Sequence, residues 1–284
     1  MKNLLRLRTP PAYFDVHANI VASKSNPRRA RLEALADSVQ RRFGEYDAAV
    51  ANDTLAAINE DATLQNSESD FWHCYEVKTA ALKNMLDCID ESQRDGALKW
   101  CPYCGITAPM SFDHYLPKET FPEFSVDPQN LIRSCTKCNS TKGSRWISAG
   151  DRLFIHFYYD LIPEEQFLFV DIDHEEKAFS ARFFIEKPEG VALASWGIIE
   201  NHFRKLDLLK EYRENANNEF SSAINICASH LKNGGKNIAA FLVDLVGQEE
   251  QLFGRNHWRN VLLRALASDT NFANEVALRV DMGL

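Results

Sequence analysis

Two Cys-x-x-Cys pairs constrain this chain more than any other feature of its sequence. Cys101 and Cys104 form the first pair, Cys135 and Cys138 form the second, and thirty residues lie between the pairs. Two thiolates at this spacing reach one ion from a single tight turn, and two such turns complete a tetrahedral Zn²⁺ site. The cysteine count is odd and nothing suggests secretion, so a metal site is favoured over a disulfide framework. We predict a closed, structural Zn²⁺ site that stabilises a module too small to build a large core.

The hydrophobic pattern divides the chain into three regions. Apolar residues recur at helical spacing before and after the cysteine pairs, whereas residues 99–150 carry prolines and short alternations instead. We therefore predict a helical N-terminal region over 1–98, a compact module over 99–150, and short strands followed by helices over 151–284. The expected fold class is α+β, with mainly helical flanks around the central module and a short additional sheet.

The same pattern gives approximate element boundaries. The first stretch, about 25 residues, is expected to be irregular because Pro10 and Pro11 break regular structure. The helices expected before the module are one from Pro27, one over 46–64, and one from Ser67 or Ser69 to Arg94. The strands expected after it are 153–159, 166–173 and 177–186. The helices expected beyond them begin near Ala194 and include 238–246, 257–267 and 270–280.

The net charge of −8 argues only weakly against a nucleic-acid partner, because the charge is unevenly distributed. Residues 128–150 contain no acidic side chain and four basic ones, Arg133, Lys137, Lys142 and Arg145. The local field decides whether a polyanion approaches, so this segment keeps nucleic acid open as a partner.

The hydropathy of the chain indicates no membrane segment. No apolar run reaches the ~18 residues that a membrane helix needs. Residues 1–8 carry three basic side chains but no apolar stretch of signal-peptide length. We expect a soluble, cytoplasmic protein with no membrane partner.

An acidic residue, a histidine and two asparagines accompany the cysteine pairs. Asp113 and His114 are adjacent, Asn130 follows sixteen residues later, and Asn139 comes directly after Cys138. Taken singly, the Asp-His pair is typical of a surface strand, and the asparagines are typical of turns or helix caps. Together, framed by zinc ligands, they would be a coincidence in a purely structural zinc module, so they indicate a functional site. A neutral histidine is suited to taking a proton from water near neutral pH.

This segment resembles the HNH endonucleases, the ββα-metal nucleases, of the kind that has a four-cysteine zinc site. The resemblance is carried by Cys101, Cys104, Asp113, His114, Pro117, Asn130, Leu131, Cys135, Cys138, Asn139 and Lys142. It implies two strands and a helix folded over one catalytic metal, with Asp113 and Asn139 as ligands and His114 as the general base. Asn139 stands where the commonest pattern has histidine, which favours Mg²⁺ or Mn²⁺ over a catalytic zinc.

The resemblance and the helical spacing predict roles for three further residues. The resemblance implies that Asn130 ties the loop that holds the His114 strand. Lys142 and Arg145 follow Asn139 by about one and nearly two helical turns, which suits them to phosphate contacts. The implied reaction is metal-dependent hydrolysis of phosphodiester bonds in duplex DNA, leaving 5′-phosphate and 3′-hydroxyl ends.

The flanks resemble a narrower group, the nuclease subunit of Septu-type anti-phage defence systems. The shared features are a helical N-terminal arm, Asp-His-Tyr-Leu-Pro-Lys at 113–118, Ile-His-Phe-Tyr-Tyr-Asp at 155–160 and Asn-His-Phe-x-Lys-Leu at 201–206. This resemblance implies an ABC/SMC-like ATPase subunit as a partner. Two alternatives stay open from the residues: a non-catalytic zinc module that docks a partner or binds nucleic acid, and an HNH-fold ribonuclease.

Overall fold

The computed structural model describes residues 1–7, 12–175 and 178–282, whose contacts group into two compact units. One unit contains residues 3–103 and 107–160. The other contains residues 161–284 together with residues 1–2 and 104–106. The division into regions 1–98, 99–150 and 151–284 stays a prediction from the sequence.

The first unit begins with helices joined by short connections. They are α1 (Tyr13–Ala22), α2 (Arg28–Glu33), α3 (Ala36–Ala51), α4 (Ala62–Gln65), α5 (Glu68–Glu76) and α6 (Ala80–Glu91). The cysteine-bearing module that follows contains β1 (Ser111–His114), β2 (Leu131–Ser134) and α7 (Thr136–Lys142). Two-residue strands β3 (Ile147–Ser148) and β4 (Asp151–Arg152) pair after it. Single 3₁₀ turns at Pro122–Phe124 and Pro128–Asn130 shape the connection between β1 and β2.

The helices of the first unit share an aromatic core with that connection. The Phe124 ring lies 5.1 Å from the Tyr46 ring and 5.8 Å from the Phe43 ring, both on α3. Beside them, Arg42 Nε donates to Glu123 Oε1 at 2.7 Å in an ion pair that is almost fully buried. Because Glu123 has no exposed surface, removal of Arg42 would leave an uncompensated charge in the core. Helix α3 is thereby fixed against the cysteine-bearing module.

The second unit is a β-hairpin covered by helices. The hairpin pairs β5 (Leu168–Glu175) with β6 (Ala178–Ile185), and the helices are α8 (Leu193–Lys205), α9 (Leu208–Lys232), α10 (Ile238–Phe253), α11 (Trp258–Ala267) and α12 (Thr270–Asp281). Its core contains aromatic rings from the hairpin and two helices. Tyr212 stacks on Trp258 at 5.9 Å and meets Phe183 edge to face at 5.6 Å.

The predicted α+β class with helical flanks and a short additional sheet is confirmed, but several boundaries are wrong. Helix α1 forms within the stretch expected to be irregular, because Asp15 accepts a hydrogen bond from the Ala12 N–H at its start. The helix expected over 46–64 does not form as one piece. Helix α3 ends at Ala51, and Asp53 then takes a left-handed conformation with φ 54°. The helix expected from Ser67 or Ser69 to Arg94 is likewise broken, between α5 and α6.

The strand expected over 153–159 is a series of turns. All side chains from Leu153 to Tyr158 are buried, so the alternation that a half-exposed strand requires is missing. The Asp160 carboxylate accepts from the His156 N–H at 2.7 Å and pairs with Arg152 at 2.6 Å. These bonds hold the backbone in a turn.

None of the helices in the described part of the chain combines the length and the apolar character needed to cross a membrane.

Candidate functional site

Asp113 and His114 end the first strand of an antiparallel hairpin. Asp113 lies opposite Ile132 and His114 lies opposite Leu131 of β2. Neighbouring residues of a strand point to opposite faces of the sheet. Accordingly, Asp113 is buried, whereas His114 is half-buried and keeps contact with solvent.

Helix α7 crosses this hairpin and places two side chains on β1. Its start is fixed by Cys135, whose sulfur accepts from the Cys138 N–H at 3.4 Å. Asn139 Nδ2 donates to Ser111 Oγ and to the Phe112 carbonyl, both at 3.3 Å. One turn later, Lys142 Nζ donates to the His114 carbonyl at 2.7 Å. The helix therefore brings Asn139 and Lys142 beside the Asp-His pair, as the ββα resemblance implies.

The Asp113 carboxylate is satisfied on both oxygens. Its Oδ2 accepts from the Tyr103 hydroxyl at 2.7 Å, and its Oδ1 accepts from Lys142 Nζ at 3.1 Å. Burial raises the pKa of Asp113 above its ordinary value, while the Lys142 charge and the Tyr103 hydrogen bond act in the opposite direction. Since Lys142 also has no exposed side-chain surface, the two charges compensate each other inside the module.

His114 is held with one nitrogen occupied and the other open. Its Nε2 lies 2.9 Å from the Ser125 carbonyl, and because a carbonyl only accepts, this nitrogen carries the hydrogen. The lone pair is then on Nδ1. Tyr75 of α5 meets the imidazole edge to face at a centroid distance of 4.5 Å. Burial lowers the pKa of His114 to about 3, with further lowering by the charges of Lys142, Lys118 and Lys78, so the ring is neutral at neutral pH.

Asn130 clamps the backbone that leaves the His114 strand. Its Oδ1 accepts from the Leu116 N–H at 2.7 Å, and its Nδ2 donates to the carbonyls of Leu116 at 3.0 Å and Phe124 at 3.3 Å. The Asn130 carbonyl also accepts from the Tyr115 N–H at 2.8 Å. The side chain has no exposed surface. This arrangement is the one that a loop-tying residue requires.

The two residues expected to contact phosphate take different positions. Lys142 is fully enclosed by its bonds to Asp113 and the His114 carbonyl, so its ammonium group does not lie at the surface. Arg145 is exposed, and its guanidinium donates to the carbonyls of Thr141 and Lys142 at the end of α7. Of the two, Arg145 alone stands where an external phosphate is within reach.

The four paired cysteines converge. Their four sulfur atoms lie within 4.8 Å of one another, and all four residues are buried: Cys101, Cys104, Cys135 and Cys138. The Cys135 N–H donates to the Cys101 sulfur at 3.2 Å, which stabilises a thiolate. Four buried thiolates at this separation suit one tetrahedral Zn²⁺ with no open position, so an ion held there would be structural.

The residues beside His114 also fit a divalent cation of the hard type. Asp113 and Asn139 offer carboxylate and amide oxygens, the ligands preferred by Mg²⁺ and Mn²⁺. In the structure the two Asp113 oxygens accept hydrogen bonds from Lys142 and Tyr103. A metal ion bound there would share Asp113 with Lys142. The ligand roles of Asp113 and Asn139 stay predictions.

Two residues that complete this environment were not expected from the sequence. Tyr103 lies inside the first cysteine pair and binds Asp113, yet nothing in the spacing of that pair requires a hydroxyl. Tyr75 comes from a helix far upstream, so only the tertiary fold brings it to His114.

The sequence of this segment matches a known protein family. Residues 101–145 match the family model described as HNH endonuclease. The module is an HNH endonuclease module. It includes the four cysteines, both asparagines and the Asp-His pair described above.

Two curated relatives align over longer stretches than the HNH family model does. The chain is 32% identical to protein ea31 of Escherichia phage lambda over 137 residues, which are 46% of each chain. It is 39% identical to the Septu protein PtuB of Bacillus thuringiensis over 100 residues, 33% of this chain and 35% of the relative. The alignments thus span less than half the length of either relative. No solved structure matches the chain. The chain therefore carries an HNH module and is related to a Septu protein.

Proposed function

We propose that this protein is a metal-dependent endonuclease that hydrolyses phosphodiester bonds of duplex DNA. The observation that carries the proposal is the orientation of His114: its Nε2 is tied to the Ser125 carbonyl, which leaves the lone pair of Nδ1 to accept a proton. Asp113 and Asn139, the proposed metal ligands, are anchored beside it by β1 and α7. The match of residues 101–145 to the HNH endonuclease family model supports the same class of reaction.

The chain's own residues would act as follows. His114 Nδ1 takes the proton from a water molecule as that water attacks phosphorus and the bond to the 3′ oxygen breaks. Ser125 fixes the tautomer that makes this transfer possible, and Asn130 holds the following loop so that the imidazole does not rotate away. A divalent ion held by Asp113 and Asn139 would neutralise the phosphoryl oxygens and the leaving oxygen. The products are a 5′-phosphate and a 3′-hydroxyl.

The most direct test compares cleavage by wild type and by His114→Ala. Supercoiled plasmid is incubated with each protein and Mg²⁺ or Mn²⁺, and His174→Ala serves as the control. His174 lies on β5 and pairs with Asp269, in the other unit. We expect His114→Ala to lower the rate by about 10²–10⁴-fold, the usual contribution of a general base, and His174→Ala to leave it unchanged.

Other outcomes separate the alternatives. Equal rates for wild type and His114→Ala would refute the mechanism. Absence of cleavage of any nucleic acid, with zinc bound and the fold intact, would favour a non-catalytic zinc module. Cleavage of structured RNA but not of DNA would favour a ribonuclease.

The relationship to a Septu protein supports a role in anti-phage defence, in complex with an ABC/SMC-like ATPase. The charge of the chain also supports a nuclease that a partner subunit brings to its DNA. The net charge is −8, and the basic segment over 128–150 loses Lys142 to an internal ion pair and Arg133 to a pair with Asp90. Few phosphate contacts give weak binding at moderate salt.

Co-expression with an ABC/SMC-like ATPase from the same host is the corresponding test. We expect a stable complex and cleavage that depends on the ATPase or rises strongly with it. Full activity and salt-resistant DNA binding by the isolated chain would instead indicate a free-standing endonuclease.

A further inference from the structure

A group of aromatic and lysine side chains borders His114 on the side of α5. We call Trp72, Tyr75, Lys78 and Lys118 the aromatic–lysine face. Trp72 and Tyr75 lie three residues apart, on the same side of α5, and both are half-buried. Each ring carries an ammonium group above it: Lys118 Nζ is 4.9 Å from the Trp72 ring and Lys78 Nζ is 4.0 Å from the Tyr75 ring.

The face is attached to the proposed general base. The Tyr75 ring contacts the His114 imidazole, and the Trp72 indole N–H donates to the Lys118 carbonyl at 2.9 Å, four residues after His114. Of these four residues, only Lys118 belongs to the stretch that matches the HNH family model. The N-terminal helical region therefore supplies one wall of the space in front of His114.

Lys78 lacks the partner that a structural lysine would have. In the described part of the chain no carboxylate lies within ion-pair distance of its ammonium group, which rests on the Tyr75 ring. Lys118 does pair with Glu76 at 3.1 Å, but the Glu76 side chain is 57% exposed, so this bond is easily exchanged for another anion. Both positive charges are thus available to a ligand that approaches His114.

The backbone that leads to Lys78 is held by a buried cation. Lys24, itself buried, donates from Nζ to the carbonyls of His73, Cys74 and Val77 at 3.3, 3.2 and 3.1 Å. These are the carbonyls at the end of α5, where a positive charge is most favourable. These bonds anchor the backbone from the end of α5 to the residue before Lys78.

We infer that the aromatic–lysine face binds the nucleic-acid strand next to the scissile phosphate, with Lys78 and Lys118 on phosphates and Tyr75 against a sugar or base. Ammonium groups bind phosphate oxygens, and half-exposed aromatic rings accept the flat faces of nucleotides. The inference rests on the proposed function, because a strand is placed here only if its phosphodiester is the substrate of His114.

Binding of duplex DNA tests the inference without requiring cleavage. Three full-length proteins are compared, all carrying His114→Ala so that they do not cleave. The first has no further change, the second adds Lys78→Gln and the third adds Lys83→Gln. A fluorescein-labelled duplex is titrated with each of them. Lys83 is an exposed lysine on α6, so its variant removes the same charge from the neighbouring helix. We expect Lys78→Gln to weaken binding by about three- to tenfold and to reduce the salt slope by about 0.9, as for one lost phosphate contact. Lys83→Gln should bind like its parent, and all three proteins should melt at the same temperature.

The outcomes distinguish this inference from the proposed function. Equal affinity and equal salt slope for the Lys78 and Lys83 variants would overturn the inference, as would absence of DNA binding by every protein at low salt. If Lys78 controls binding but wild type and His114→Ala cleave equally, the proposed mechanism fails while the binding face stands.

Discussion

The ammonium group of Lys142 lies 3.1 Å from Oδ1 of Asp113, and neither side chain is exposed to any useful extent. A buried pair of this kind contributes little net stability, but loss of one partner leaves a charge with no compensation. Asp113 is therefore a structural residue of the module as well as a proposed metal ligand. A substitution that removes the Asp113 charge is therefore expected to destabilise the module in addition to any effect on metal binding or catalysis.

A double-mutant cycle on this pair should show strong coupling. We expect Asp113→Asn and Lys142→Met each to lower the free energy of unfolding by about 3–5 kcal/mol, because each leaves a buried charge unpaired. The double variant should lose much less than the sum of the two, because no charge remains inside. Urea unfolding of the four proteins measures the coupling. Additive losses would show that the two charges do not depend on each other.

Zinc binding should require the four clustered cysteines and should not require the cysteines outside the cluster. We expect Cys101→Ser to lose the bound Zn²⁺ and to unfold the module, because the ion supplies folding free energy that the small core cannot. Cys88→Ser is the control, since Cys88 is exposed on α6 and outside the cluster. Elemental analysis and thermal melting of both variants check this. A well-folded wild-type preparation without zinc would contradict the four-cysteine site.

The Asn130 clamp should be sensitive to an isosteric change. Asn130→Asp keeps the shape but replaces the Nδ2 donor by an oxygen that faces the carbonyls of Leu116 and Phe124. We expect a loss of about 2–4 kcal/mol in the free energy of unfolding, from two lost hydrogen bonds and a buried unpaired acceptor. Nuclease activity should fall with it, since the clamp holds the loop after His114. Asn217→Asp, at an exposed position in the middle of α9 on the other unit, should be nearly neutral. A stable, fully active Asn130→Asp protein would remove the positioning role.

The centre of the site could be predicted because its chemistry is encoded at short range. A Cys-x-x-Cys turn places two sulfurs together whatever surrounds it, and an Asp-His pair on a strand points to two faces by geometry alone. Asn139 follows Cys138 directly, so the turn that holds the sulfur also starts the helix that carries the amide.

The surroundings of the site could not be predicted, because they depend on tertiary packing. On sequence spacing, Lys142 and Arg145 look equivalent, one turn apart on the same stretch. Lys142 is buried with its ammonium group on Asp113 and the His114 carbonyl, and no local sequence pattern indicates which face of α7 packs on β1. Tyr75 and Trp72 carry an ordinary amphipathic spacing, and only the packing of α5 shows that these rings border His114.

Acid should destabilise the first unit through His17. This residue on α1 is 3% exposed, packs among the rings of Phe14, Phe43 and Phe71, and has no hydrogen-bond partner at Nδ1. Burial lowers the pKa of His17 from 6.5 to about 4, so the folded state holds the neutral form. The unfolded chain binds a proton more readily between those two values. Stability is therefore complete above pH 6.5 and is lost as the pH falls towards 4.

The size of this effect follows from the shift in pKa. Between pH 7 and pH 5 the loss attributable to His17 should be about 2 kcal/mol, since one pKa unit corresponds to about 1.4 kcal/mol. Urea unfolding of wild type and His17→Phe at both pH values measures it, because phenylalanine fills an aromatic site and cannot titrate. We expect His17→Phe to lose less stability than wild type over this range, whatever its absolute stability. His174→Gln, which changes a histidine that already has the Asp269 partner, is the control and should leave the acid sensitivity of the first unit as it is. An identical pH dependence in wild type and His17→Phe would assign the acid sensitivity to other groups.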